Sequence, residues 1–375
     1  MESKVKTVLV TGSKGFIGKN LIESLSRQKD VEIYEFDVDD DMSILTSALK
    51  EADLVFHLAG INRPKNDEEF IQGNTVSTQT LLSILDDLNR TPTIVMSSSV
   101  QAELSNPYGV SKKKAEDLLF EYGERTGASV YVYRLTNVFG KWCRPNYNSV
   151  VATFCHNIAN GLEISISDRA REIQLVYIDD VVESFLNILE KCPEISPRKH
   201  LTISPAHKIT LGSLADRIYQ FRDMRKSLVI PNLSEYFTRC LYATYLSYLS
   251  KDNFTYDLEK KSDQRGILVE LFKSKNFGQI FISKTRGGVT RGNHYHNTKT
   301  EKFCVIQGKA VIRFRHIFSN EVLSYHVSGD DIKIVDIPPG YTHNIENISD
   351  DELIVLFWAD QIFDPDKPDT HFDVV

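Results

Sequence analysis

The sequence predicts a doubly wound parallel α/β sheet followed by an all-β barrel. Over residues 5–190, short apolar runs alternate with stretches of helical character, which is typical of a parallel sheet flanked by helices. After about residue 253 the pattern changes to short alternating strands separated by glycine and proline turns, which indicates an antiparallel barrel. The length of 375 residues exceeds what one hydrophobic core usually supports. We therefore predict two domains, residues 1–250 and residues 251–375.

Each predicted element follows from its residue pattern. Apolar runs of strand length recur along the chain, and Pro107 stands where a helix would start. Residues 202–250 are rich in tyrosine and leucine and are expected to form a helical cap. The first domain is predicted to contain the strands Val5–Val10, Glu32–Phe36, Leu54–Leu58, Thr93–Ser97 and Val130–Leu135, and the helices Gly15–Gln28 and Asn106–Glu124. The second is predicted to contain the strands Gln279–Ser283, Lys302–Gln307, Lys309–Arg315, Leu323–Val327, Lys333–Ile337 and Glu352–Trp358.

The composition excludes several classes of protein. The formal net charge of −7 carries mixed signs, which argues against a nucleic-acid partner. The longest apolar runs have the length of a strand, so no membrane-spanning segment is expected. The five cysteines are scattered without a CxxC pair, and the N-terminus shows no apolar signal region. We therefore expect a cytoplasmic protein with free thiols.

Three glycines directly follow the first predicted strand and open the next helix. Gly12, Gly15 and Gly18 would allow a tight turn, close approach of a pyrophosphate and close packing of helix on strand. The helix N-terminus would present free N–H groups to the phosphates. An ordinary strand–helix turn can show the same glycines, but Asp37 ends the second strand, where an acid binds the adenosine ribose. The predicted dinucleotide site consists of Gly12, Ser13, Lys14, Gly15, Phe16, Ile17, Gly18, Asp37, Leu58, Ala59, Gly60, Arg63, Tyr108 and Lys112.

The residues leave the choice between NADH and NADPH open. Asp37, followed by three further aspartates, would repel a 2′-phosphate and favours NADH. Lys14 in the glycine loop and Arg63 after the third strand could instead hold that phosphate. The expected cofactor is therefore NAD or NADP.

A tyrosine and a lysine have the spacing of a proton-donating pair. Tyr108 and Lys112 are four residues apart in a predicted helix and so share a face. An ammonium group beside a phenol favours the phenolate, and such a tyrosine can protonate a carbonyl oxygen as hydride arrives at its carbon. This spacing also occurs by chance at solvent-facing positions. Here Ser97, Ser98 and Ser99 end the preceding strand and could supply a further hydroxyl to the same oxygen.

Three histidines and a glutamate form the second candidate site. His294 and His296 are two residues apart, so they point to one side of a strand. Glu301 follows within reach, and His343 lies on a later strand. An isolated HxH pair is mostly a surface feature, but three imidazoles with one carboxylate suit a divalent ion such as Zn, Fe, Mn or Ni. The predicted metal ligands are His294, His296, Glu301 and His343.

Residues 1–250 resemble an extended short-chain dehydrogenase/reductase, a Rossmann-like class that acts on nucleotide sugars. The segments 134–140 and 176–181 are similar to further motifs of that class. The resemblance implies Ser99, Tyr108 and Lys112 as the catalytic residues. Because Val100-Gln101-Ala102 replaces the usual VYG after the serines, Ser98 stays the alternative to Ser99.

Residues 251–375 resemble a cupin, which is a double-stranded β-helix or jelly-roll. The spacing G-x5-H-x-H-x4-E-x6-G begins at Gly288, and the spacing P-x-G-x2-H-x3-N ends at Asn347. The one departure is Ile332, where the second motif usually opens with glycine, and it concerns a turn rather than a ligand. The resemblance implies a metal-binding barrel with zinc as the first choice of ion.

The order of the two domains, with the segments 62–64, 139–143, 145–150, 242–248 and 341–347, resembles a family of bifunctional capsular polysaccharide enzymes. The resemblance implies a step towards UDP-N-acetyl-L-fucosamine on a UDP-linked 4-keto-6-deoxy amino sugar. The cupin domain would epimerise C3 of a UDP-2-acetamido-2,6-dideoxy-4-hexulose through a metal-stabilised enolate. The first domain would then reduce the C4 ketone to a UDP-6-deoxy-talosamine-type product. The family also implies NADPH and a homodimer.

Physical chemistry orders these two steps. The hydrogen on C3 is acidic only while C4 is a ketone, because its loss then gives an enolate. Epimerisation must therefore precede reduction. Lys302, His316 and Tyr341 are candidates, by residue type, for the acid and base at C3.

Two other functions stay open. The chain could be a simple 4-ketoreductase whose cupin is only structural, or a non-enzymatic protein that senses a cofactor. The combination of Ser99, Tyr108 and Lys112 argues against a sensor, which has no need of a proton donor.

Overall fold

The computed structural model describes residues 5–193, 198–263, 266–269, 272, 278–361 and 366–375. The chain forms two compact units, Met1–Ser149 with Glu172–Ile209 and Val150–Arg171 with Thr210–Val375. Residues 150–171 and 210–250 therefore group with the barrel rather than with the N-terminal sheet. A domain boundary at residue 250 stays a prediction.

A six-stranded parallel sheet is the centre of the first unit. The strands of this unit are β1 (Lys6–Thr11), β2 (Val31–Phe36), β3 (Leu54–His57), β4 (Thr93–Ser99), β5 (Val130–Leu135), β6 (Asn137–Phe139), β7 (Glu172–Tyr177), β8 (His200–Leu201) and β9 (His207–Thr210). The sheet has the order β2-β1-β3-β4-β5-β8, and β6, β7 and β9 form a smaller sheet. The strand order reverses between β1 and β3. In such sheets ligands bind outside the carboxyl ends of the strands at this point.

The helices follow from apolar spacing and local capping. They are α1 (Phe16–Leu25), α2 (Met42–Glu51), α3 (Glu68–Phe70), α4 (Ser77–Asp87), α5 (Pro107–Thr126), α6 (Val150–Ala159), α7 (Ile178–Lys191), α8 (Leu211–Ser227) and α9 (Tyr236–Leu246). Helix α5 begins where the Asn106 side chain accepts a hydrogen bond from the Gly109 N–H at 2.8 Å. It ends at Gly127, which has a left-handed φ of 77°. Leucines of α2, α4 and α5 join the buried core around β1 and β3.

Two five-stranded antiparallel sheets form the cupin-like part of the second unit. Its strands are β10 (Thr255–Asp257), β11 (Lys260–Asp263), β12 (Gly266–Val269), β13 (Gln279–Thr285), β14 (Thr290–Tyr295), β15 (Glu301–Gln307), β16 (Lys309–His316), β17 (Val322–Ser328), β18 (Lys333–Ile337), β19 (Tyr341–Asn347), β20 (Leu353–Ala359) and β21 (His371–Phe372). The sheet orders are β10-β18-β15-β20-β13 and β17-β16-β19-β14-β21, and β11 pairs with β12. Ile312, Phe314 and Val355 are among the fully buried apolar residues.

The structure confirms the predicted fold class and every predicted strand to within two residues at each end. The helical prediction for 202–250 was too simple, because β9 precedes α8 and residues 228–235 separate α8 from α9. Strands β14 and β19 were not predicted with bounds, because their histidines and asparagines interrupt the apolar alternation. No helix in the described ranges is long and apolar enough to cross a bilayer.

A cluster of buried charges joins two helices of the second unit to its barrel. The Asp336 carboxylate on β18 pairs with Lys302 of β15 and, at 2.5 Å, with Arg225 of α8. Tyr256 packs under both cations, and the fully buried Tyr242 of α9 lies alongside. Burial alone would lower the pKa of Lys302, but the charge of Asp336 raises that pKa above its ordinary value.

We expect Asp336→Asn to lower the free energy of unfolding of the second unit by about 3–5 kcal/mol, because it leaves two buried cations without a counter-charge. Urea denaturation measures this change. Asp331→Asn is the matched control, since Asp331 pairs with Lys333 at the surface and its side chain is 55% exposed. Equal stabilities of the two variants would show that the cluster contributes no more than a surface pair.

Candidate active sites

The glycine loop lies against the turn that follows β3. Gly12 has a φ of +70°, and a Cβ on it would come within 2.8 Å of the Ala59 nitrogen. A Cβ on Gly18 would come within 2.3 Å of the Gly12 oxygen, so α1 packs directly on the loop. Gly15 caps α1 without a side-chain hydrogen bond. The first N–H groups of α1 are therefore left for an anionic ligand.

Asp37 binds the glycine loop to the end of β2. Its carboxylate accepts hydrogen bonds from the backbone N–H groups of Lys14 and Val38, both at 2.8 Å. The Lys14 ammonium pairs with Asp40 at 3.2 Å, so its charge is already offset. The hydrogen bond to Asp40 raises the pKa of Lys14.

The turn after β3 completes the predicted dinucleotide site. The N–H groups of Leu58 and Ala59 donate to the backbone and side-chain oxygens of Thr11, at 3.2 and 3.3 Å. Gly60 follows beside Lys112, and Arg63 is exposed on the next loop. The structure therefore gathers the glycine loop, Asp37 and the residues 58–60 at the carboxyl ends of β1, β2 and β3.

Ser99, rather than Ser98, lies beside Tyr108. Burial raises the pKa of Tyr108, and a hydrogen bond with the Ser99 side chain acts in the opposite direction. The Ser98 hydroxyl is buried and donates to the Glu116 carboxylate at 2.6 Å. The geometry therefore favours Ser99 as the hydroxyl that shares a substrate oxygen with Tyr108.

Lys112 is buried at the junction of β4 and the turn after β3. It is 5% exposed, and its ammonium donates to the Ser97 carbonyl at 3.0 Å. A Cβ on Gly60 would come within 2.7 Å of the Asn74 Oδ1 and 3.2 Å of the Lys112 nitrogen, so a larger residue would displace these side chains. Burial lowers the pKa of Lys112 to about 8, although the Glu116 charge acts to raise it.

Two buried polar residues that the sequence analysis missed support this arrangement. Asn74, on a π-helical turn, bonds both backbone groups of Ile61 and donates to the Ser111 hydroxyl at 3.0 Å. Glu116 is fully buried one helical turn after Lys112 and binds Arg134. Glu116 follows Lys112 by four residues, as Lys112 follows Tyr108. This repeated spacing places the three residues on one face of the helix and could have revealed Glu116 from the sequence.

The four predicted metal ligands come together in the second unit. The ligand atoms of His294, His296, Glu301 and His343 all lie within 4.8 Å of one another. His294 and His343 are directly paired across β14 and β19, while Glu301 reaches them from β15 in the other sheet. The Nε2 atom of His296 lies 3.4 Å from the Glu301 Oε2 atom.

The electrostatics of this cluster fit a divalent ion. Burial lowers the pKa of His294 to about 4, and burial also lowers the pKa of His343. Burial would raise the pKa of Glu301, but its interaction with His296, whose Nε2 lies 3.4 Å away, and the neighbouring charges lower that pKa to about 2. Neutral imidazoles and an ionised carboxylate are the forms that bind metals. The buried Nε2 atoms of His296 and His343 have no hydrogen-bond partner among the described residues. Buried polar atoms normally have one, and a metal ion bound by these nitrogens would supply it.

A cavity of about 280 Å³ opens beside the cluster. His294 and Glu301 line it, together with aromatic side chains and the cationic Arg291 and Lys299. Such a lining places two of the predicted metal ligands beside positive charge suited to an anionic ligand.

The three candidates for the acid and base at C3 do not line this cavity, so that prediction needs correction. Lys302 follows Glu301 in the same strand and therefore faces the other way, where it pairs with Asp336. The His316 ring packs on Tyr341 at 4.9 Å. Tyr341 packs in turn on Phe254 at 5.2 Å.

Comparison with known proteins defines the class. Residues 8–204 match the NAD dependent epimerase/dehydratase family, and residues 261–371 match the polysaccharide biosynthesis C-terminal domain. The chain belongs to the NAD dependent epimerase/dehydratase family.

Individual relatives extend over both units. The chain is 43% identical over 364 residues to UDP-2-acetamido-2,6-beta-L-arabino-hexul-4-ose reductase from Pseudomonas aeruginosa, with 97% of each chain covered. The crystal structure of the capsular polysaccharide assembling protein CapF from Staphylococcus aureus is 45% identical, with 98% of this chain and 100% of that chain covered and a TM-score of 0.67. UDP-glucuronic acid 4-epimerase from Bacillus cereus is 19% identical, covers 58% of this chain and 84% of its own with a TM-score of 0.52, and shares the fold alone.

We expect the protein to bind a divalent ion and His343→Ala to weaken that binding by more than about 100-fold, beyond the loss typical of residues that only support a ligand. Titration of the metal-stripped protein with Zn²⁺ against a chelating dye measures the affinity. His316→Ala is the control, because its ring packs outside the cluster. Identical affinities of the two variants would exclude His343 as a ligand.

Proposed function

We propose that this chain is a two-step enzyme of surface polysaccharide synthesis that acts on a UDP-linked 4-keto-6-deoxy amino sugar. In the proposal the second unit epimerises C3 and the first unit reduces the C4 ketone. The observation that carries it is the presence, on one chain, of the Ser99–Tyr108–Lys112 arrangement and of a His/Glu cluster beside a cavity. The names of the P. aeruginosa and S. aureus relatives support the substrate class and the pathway.

Three side chains take part in the proposed reduction, each with its own role. The nicotinamide ring supplies a hydride to C4 when the cofactor is bound. The Tyr108 hydroxyl delivers a proton to the ketone oxygen, and the Ser99 hydroxyl, already bonded to Tyr108, orients that oxygen. Lys112, whose buried ammonium donates to the Ser97 carbonyl, would supply the positive charge that favours the phenolate form of Tyr108. Hydride and proton together convert the ketone to an alcohol.

The proposed epimerisation depends on the charge that develops on the same ketone oxygen. A divalent ion held by His294, His296, Glu301 and His343 would stabilise that negative charge while the C3 proton passes to water and a proton returns to the opposite face of C3. Arg291 and Lys299 on the cavity wall would attract the diphosphate of the nucleotide sugar. The family resemblance adds zinc and a homodimer to the proposal, and the scattered cysteines add a cytoplasmic location.

NADH is the proposed reductant. A 2′-phosphate bound at the end of β2 would face Asp37, whose carboxylate is held by the backbone N–H groups of Lys14 in the glycine loop and of Val38. Lys14 is the nearest candidate to balance that phosphate, but Asp40 already holds it. The carboxylates therefore outweigh the cations at this position.

We expect kcat/KM for NADH to exceed that for NADPH. Asp40→Asn should raise kcat/KM for NADPH by about threefold to fivefold, the worth of releasing an exposed ion pair. Asp39→Asn is the control, since it removes the same charge without freeing the Lys14 hydrogen bond. Steady-state kinetics with both cofactors measures the effect. A wild-type preference for NADPH would refute the NADH assignment.

Solvent exchange tests the two-step proposal. With UDP-2-acetamido-2,6-dideoxy-4-hexulose in D2O and no reduced cofactor, we expect deuterium to enter C3, detected by NMR and mass spectrometry. His294→Ala should abolish this exchange. Tyr108→Phe should retain it but slow cofactor oxidation by about 10²–10⁴-fold, because only the proton donor for the reduction is lost.

The other outcomes decide between the alternatives. Reduction without any exchange in the wild type would identify a simple ketoreductase with a structural barrel. Loss of exchange in Tyr108→Phe would contradict the assignment of the two steps to separate sites.

A further inference from the structure

The last ten residues of the chain contact the strand and the loop that carry His294 and His296. We call residues 366–375 the C-terminal strap. Within it β21 pairs with β14, the strand that carries His294, in the register His294↔Phe372. The Asp373 N–H donates to the Asn293 carbonyl at 3.0 Å, and the Asp373 carboxylate pairs with Arg315 at 2.6 Å. The strap is therefore an added strand of the barrel.

Asp369 is the residue of the strap that holds the metal-binding loop. Its carboxylate accepts hydrogen bonds from three successive backbone N–H groups, those of Asn297 at 2.9 Å, Thr298 at 2.7 Å and Lys299 at 2.7 Å. The Thr298 hydroxyl donates to the same carboxylate at 2.8 Å. These residues form the turn between His296 and Glu301. One side chain thus fixes the connection between two of the four predicted ligands.

The backbone of Asp369 makes a second contact, to a ligand itself. Its carbonyl oxygen lies in hydrogen-bonding contact with Nδ1 of His296. A carbonyl oxygen only accepts, so Nδ1 of His296 must carry the proton. The lone pair of the neutral ring is then on Nε2, the atom that faces Glu301 and has no hydrogen-bond partner in the described part of the chain.

From these contacts we propose that Asp369 is a positioning residue that orients His296 for the metal ion and that the C-terminal strap completes the metal centre. Because partners of this kind set the tautomer and orientation of a ligating histidine, their loss weakens metal binding without removing a ligand. The inference rests on the metal site of the proposed function. It adds a dependence of that site on residues more than 70 positions away in sequence.

The test compares Asp369→Ala and Asp369→Asn with the matched control Asp366→Asn, an exposed residue of the same segment. Zn²⁺ affinity is measured by competition with a chelating dye, and the Co²⁺ absorption spectrum reports on ligand geometry. Asp369→Ala keeps the carbonyl at His296 but removes the side-chain hydrogen bonds that hold it and the 297–299 turn in place. We therefore expect this variant to bind Zn²⁺ about 10–100-fold more weakly and to show an altered Co²⁺ spectrum. Asp369→Asn keeps one acceptor oxygen and should lose less, about threefold to tenfold. Asp366→Asn should match the wild type.

The outcomes separate this inference from the proposed function. Wild-type protein that binds neither Zn²⁺ nor Co²⁺ would refute the metal site itself. A wild type that binds Zn²⁺, together with unchanged affinity and spectrum in both Asp369 variants, would overturn the positioning role. Should Asp369→Ala fail to fold, as judged by thermal melting without metal, Asp369→Asn decides alone.

Discussion

Charge that is removed from water must be paired, and this constraint governs the interior of both units. In the first unit the Glu116 carboxylate is matched by Arg134. In the second, Asp336 is matched by Lys302 and Arg225. The candidate metal cluster differs, because its carboxylate faces imidazole rings of which two are held neutral by burial. A divalent ion would supply the positive charge that the other two clusters obtain from side chains.

The two faces of strand β15 carry different charged groups. Successive side chains of a strand point to opposite faces, so Glu301 lines the cavity while Lys302 enters the cluster around Asp336. The face of β15 that carries Glu301 is therefore backed by the Lys302–Asp336 ion pair on its other face. The strap meets the same site from the other sheet, where Asp369 holds the turn that leads into β15. The ligands are therefore fixed at both ends of this turn.

Most of the predicted site residues were recognised from residue spacing within a single helix, strand or loop. The glycine loop, the Tyr108–Lys112 pair and the His294–His296 pair all depend on neighbours within one element, whose geometry is fixed by helix or strand period. Asn74 and Asp369 could not be recognised in this way. Each acts through hydrogen bonds to chain segments distant in sequence, and an isolated Asn or Asp leaves no periodic signal. Lys302 was suggested as a base by its residue type alone, whereas strand alternation places it on the face opposite Glu301.

In the proposed function both sites act on one atom, the C4 oxygen, which gains negative charge in each step. Removal of the C3 proton requires that this charge be stabilised while C4 receives no hydride, so that the enolate can be reprotonated at C3. Reduction requires that the same oxygen receive a proton as hydride reaches C4, a proton that Tyr108 beside Ser99 would deliver. Because reduction removes the ketone, it draws the reversible epimerisation forward.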